Sequence, residues 1–68
     1  MALDPSVRLM VTEAYEETVA EAMAQGQPAA TAHREGTTAA AMFLASMSGL
    51  EDAAARVEVE ALGLKPEQ

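Results

Sequence analysis

Ala39-Ala40-Ala41-Met42-Phe43-Leu44-Ala45 is the stretch on which the reading of this chain turns. Seven apolar residues in a row leave no polar side of a helix, and a helix of that kind is ordinarily covered on several sides. The segment is too short and too rich in alanine to cross a bilayer, even when extended from Thr38 to Met47. It therefore predicts the middle helix of a small helical protein.

Working backwards, the same helix extends to Pro28, giving a second helix over 28–47, with Gly36-Thr37-Thr38 as the place where it could divide in two. A stripe of Ala29, Ala32, Gly36, Ala39, Ala40, Phe43 and Met47 runs along it. The first half of that stripe carries almost no side chain, so another helix backbone can approach closely.

Before it lies a first helix over 5–25. Asp4-Pro5 reads as an N-cap followed by proline at the first helical position, where the missing N–H costs nothing. At 100° per residue, Val7, Val11, Ala14, Tyr15, Thr18, Val19, Ala22 and Met23 share one face, and Glu13, Glu17 and Glu21 share the opposite one. Gly26 and Pro28 stop this helix and open the next.

After it, Ser48-Gly49-Leu50-Glu51 has the pattern of a capping box and predicts a third helix over 49–62, with Leu50, Ala53, Ala54, Val57 and Ala61 on its inner side. Asp52, Arg56 and Glu60 are spaced for i,i+4 ion pairs. Gly63 and Pro66 end the helix and leave 63–68 as a loose tail. Leu9, Val59 and Leu62 fall off the three stripes. The expected architecture is an all-α, single-domain chain: a hairpin of the first two helices, with a shorter third helix across its end.

Composition makes that core thin. Half of the 68 residues are apolar, but 16 are alanine, with one Phe, one Tyr and no Trp or Cys. Alanine favours helix yet buries little area, and no disulfide can compensate. A second copy of the chain is the simplest remedy. A homodimeric bundle is expected, joined through Ala32, Gly36, Ala39, Ala40, Phe43, Leu44 and Met47.

A net charge of −7 argues against nucleic-acid backbones and anionic membranes, since Arg8, Arg34, Arg56 and Lys65 are the only cations and are scattered. Any partner besides a second copy should be neutral or basic. The amino terminus has no basic segment followed by an apolar one, which makes the cytoplasm the default location.

Chemistry has few candidates. No nucleophile elbow, phosphate-binding loop, dinucleotide fingerprint or metal-ligand spacing is present, and His33 is the one imidazole. Neither catalytic nor cofactor-binding residues are expected, and the chain reads as a non-enzymatic interaction or regulatory module. One alternative is a metal-binding helical oligomer using Glu13, Glu17 and His33, although Ala30 stands where the Glu of a Glu-x-x-His pair would be. Another is an accessory subunit or antitoxin-like protein that folds on a larger partner. Met10, Met23, Met42 and Met47 could furnish an adaptable binding surface, with Met23 and Met47 placed on the core stripes.

Overall fold

A computed structural model of the chain describes residues 3–66. Those residues form three helices, α1 (Pro5–Ala24), α2 (Ala29–Ser48) and α3 (Asp52–Ala61), and no strand. None of the helices is long and apolar enough to cross a membrane.

The ends of the helices follow from local chemistry. The Asp4 carboxylate accepts from the Ser6 N–H at 2.9 Å and from the Ser6 hydroxyl at 2.7 Å, and Pro5 takes the first helical position. α1 closes in a Schellman motif around Gly26, whose φ is +88°: Gly26 N–H donates to the Met23 carbonyl and Gln27 N–H to that of Ala22. Gly49, at φ +71°, ends α2 with its N–H on the Ala45 carbonyl.

That last stop displaces the expected capping box. Ser48 is still the last residue of α2, Gly49 is spent on reversing the chain, and α3 begins only at Asp52 without a side-chain cap. The reversal takes three residues, and it lays α3 back alongside α2 rather than across the end of the hairpin. Arg56 Nη2 accordingly donates to Thr38 Oγ1 at 3.1 Å.

α2 is continuous through Gly36 and sits between α1 and α3. Its buried residues Ala32, Gly36, Thr37, Ala40, Ala41 and Leu44 meet Val11, Tyr15, Val19 and Ala22 of α1 and Ala55 and Val59 of α3 in one core. The closest approach is at Gly36. A Cβ built there would lie 2.7 Å from Val19 Cγ2 and 2.9 Å from Tyr15 Cδ2, so the helix must be bare at this point for α1 to pass. The helix stays unbroken because the glycine is enclosed by packing, which outweighs a propensity deficit of about 1 kcal/mol.

The inner face of α3 differs from expectation. Ala55 and Val59 are buried and Leu62 is half-buried, whereas Ala53, Ala54 and Ala61 are exposed and Val57 is 62 % exposed. Leu50 is half-buried but lies outside the helix, so it cannot set the phase of its stripe. The segment after α3 is docked in part: Leu64 and Pro66 are half-buried, and Leu64 packs on the core. The last two residues of the expected tail lie outside the described residues.

Candidate functional site

Two features stand out from the fold: a cleft beside His33, and an apolar face left on the second half of α2. The cleft of about 550 Å³ opens between the amino-terminal turns of α2 and the end of α3 with its following segment. Ala29, Ala30 and His33 form one wall, and Val59, Glu60, Leu64, Lys65 and Pro66 form the other. Helical spacing brings His33 and Thr37 into line on α2, and the turn at Gly63 brings Leu64 and Lys65 back towards them.

Behind the cleft, the Tyr15 hydroxyl and His33 Nδ1 are 2.7 Å apart, with the two rings edge-to-face at 5.6 Å and 73°. Tyr15 is 1 % exposed, and burial pushes its phenol above the ordinary value of 10.0. One proton lies between the phenol oxygen and Nδ1, and which of the two donates depends on the imidazole tautomer; Nε2 is the ring nitrogen that this bond does not use. The Thr37 hydroxyl is already engaged, donating to the His33 carbonyl at 2.9 Å.

His33 thus has a partner that its sequence surroundings did not announce. Tyr15 was legible as a packed residue of the α1 stripe, and the turn at 25–28 fixes roughly which part of α2 lies opposite it. What the sequence lacks is any mark on His33 showing which way its ring turns.

Glu13, Glu17 and His33 are not brought together within one chain. Tyr15 and both glutamates stand on opposite sides of α1, and His33 faces Tyr15. Among the described residues no group of three His, Cys, Asp or Glu side chains is placed to share a metal ion.

Of the seven residues assigned to an interface, Ala32, Gly36, Ala40 and Leu44 are enclosed by the chain itself. They complete the contact of α2 with its own neighbours, so α1 and α3 cover more of the middle helix than composition suggested. Ala39 is half-buried, Phe43 is 37 % exposed and Met47 is 43 % exposed, and these three lie at i, i+4 and i+8 along one line of α2. Met42 stands beside them, 64 % exposed.

The methionines depart furthest from expectation. Met23 and Met47, placed on core stripes by periodicity, are exposed, as are Met10 and Met42. Tyr15 and Val19 both press on Gly36, a register that sets Met10 level with Phe43 across the hairpin.

The chain matches no protein-family profile, no curated protein and no solved structure. Its functional reading therefore rests on its own residues.

Proposed function

We propose that the chain is a non-enzymatic protein-interaction module that works as a homodimer, joined through the face of α2 that carries Ala39, Phe43 and Met47. The observation that carries this reading is the exposure of the only phenylalanine in line with Met47 on α2, with Met42 next to Phe43 in the chain and also exposed, while Leu44 at that level is enclosed. Methionine and phenylalanine rank among the residues most often buried, and single exposed ones need no explanation; three within six residues of one helix do.

A second copy suits this face for two reasons. The line is self-complementary, because Phe43 stands one turn from the small Ala39, so a two-fold arrangement seats each ring over the other copy's alanine. From Ala39 to Met47 the line itself carries no charge, and Glu35, one turn before Ala39, marks where the charged surface of α2 begins. Methionines at the edge can repack around the ring.

Light scattering on the gel-filtered chain tests the reading. The expected result is twice the chain mass of 7.1 kDa at tens of micromolar, and the single mass for Phe43→Glu with unchanged helical circular dichroism. A wild-type chain that keeps the single mass at millimolar concentration would exclude the dimer.

A further inference from the structure

The dimer reading makes no use of the cleft between α2 and the end of α3, whose lining has a chemistry of its own. Its polar groups are of both signs. Lys65 is one of four cations in a chain of net charge −7, and it lines the same cleft as Glu60 and the imidazole of His33. The Tyr15 hydroxyl occupies Nδ1, which leaves Nε2 as the imidazole edge for a ligand, a donor in the tautomer in which the phenol gives its proton to Nδ1. Apart from Gly63 and Thr37, whose hydroxyl donates to the His33 carbonyl, the rest of the lining is apolar, with Val59, Leu64 and Pro66 facing Ala29 and Ala30.

A simple carboxylate placed here would meet the two donors but be opposed by Glu60. A simple amine would meet Glu60 but be opposed by Lys65. A molecule with both charges on an apolar body answers every group in the lining, and about 550 Å³ falls within the range of roughly 300–1,000 Å³ typical of small-molecule sites. We propose that this cleft binds a free α-amino acid with an apolar side chain: its carboxylate on His33 and Lys65, its ammonium group on Glu60, and its side chain against Val59 and Leu64.

Both charged residues of the cleft are exposed, so water competes with each ion pair and the affinity is modest. The experiment is a titration of the isotope-labelled full chain, followed by amide chemical shifts, with three probes: leucine, isocaproate, which lacks the ammonium group, and isoamylamine, which lacks the carboxylate. Leucine is expected to give saturable shifts at Ala30, His33, Glu60 and Leu64 and to bind at least about three-fold tighter than either analogue. Lys65→Met and Glu60→Gln are each expected to weaken leucine binding by about two- to five-fold while leaving the circular dichroism unchanged. The proposal is overturned by an absence of saturable shifts in the cleft, by an analogue that binds as tightly as leucine, or by variants that bind leucine like the parent chain. None of these outcomes depends on the oligomeric state, so the dimer and the ligand site stand or fall separately.

Discussion

At the scale of single residues, Gly36 and Tyr15 decide how the hairpin closes. Replacing Gly36 by alanine raises helix propensity by about 1 kcal/mol, but its Cβ meets two groups that cannot move aside cheaply, a β-branched valine and an enclosed aromatic ring. Overpacking of this kind costs about 1–3 kcal/mol, so the clash wins and Gly36→Ala should lower the thermal midpoint by roughly 5–10 °C, as followed by helical circular dichroism. An unchanged or raised midpoint would show that α1 can retreat freely. Tyr15 has a pH signature. Its folded phenol loses its proton only above 10.0, because ionisation inside the core would strand a charge there. The stabilising contribution is therefore complete below the unfolded value and is lost as pH rises through the folded one. As the chain has one tyrosine and no tryptophan, phenolate absorbance reports this group alone. It should appear together with the loss of helix above pH 10, and Tyr15→Phe should remain helical to higher pH.

At the scale of elements, the ends of α1 were legible, whereas the junction of α2 with α3 and one helix face were not. Asp4-Pro5 and Gly26 leave marks that depend only on near neighbours and act as boundaries in the structure, while Gly49, read as part of a cap for α3, instead ends α2. The phase of α3 needed a longer view. With Ala53, Ala54 and Ala55 in succession, a ten-residue helix has two faces of almost equal apolarity, and its true start at Asp52 removes Leu50, the residue that favoured the wrong one. Packing on α2 decides for Ala55 and Val59. The cleft was illegible for a related reason: it is assembled from the start of α2 and the end of α3, and no local pattern joins them. The cap of α1 makes its own prediction. Bonds from the Ser6 hydroxyl and N–H hold the Asp4 carboxyl below its ordinary value of 3.8, so its contribution is present above that value and is lost as pH falls through the lowered one. The melting difference between the parent chain and Asp4→Ala should therefore be clear at neutral pH and vanish in strong acid. A difference that persists there would assign the effect of Asp4 to something other than its charge.

At the scale of the whole molecule, a core made largely of alanine is nonetheless closed. α1 and α3 enclose Ala32, Ala40 and Leu44 from two sides, and the shortage of bulky side chains is felt only at the rim, where Phe43 and the methionines stay outside. The described residues form a closed three-helix unit with an apolar line left outside, and on the proposed reading association would join folded copies. A second apolar strip, Ala53 and Val57 on the outer side of α3, offers the rival surface. Nuclear Overhauser contacts filtered to cross between labelled and unlabelled copies in a mixed sample separate the two directly. A dimer joined through α2 gives cross-copy contacts from the Phe43 ring to Ala39 and from the Met47 methyl group. Contacts confined to Val57 and its neighbours, or none at millimolar concentration, would contradict it.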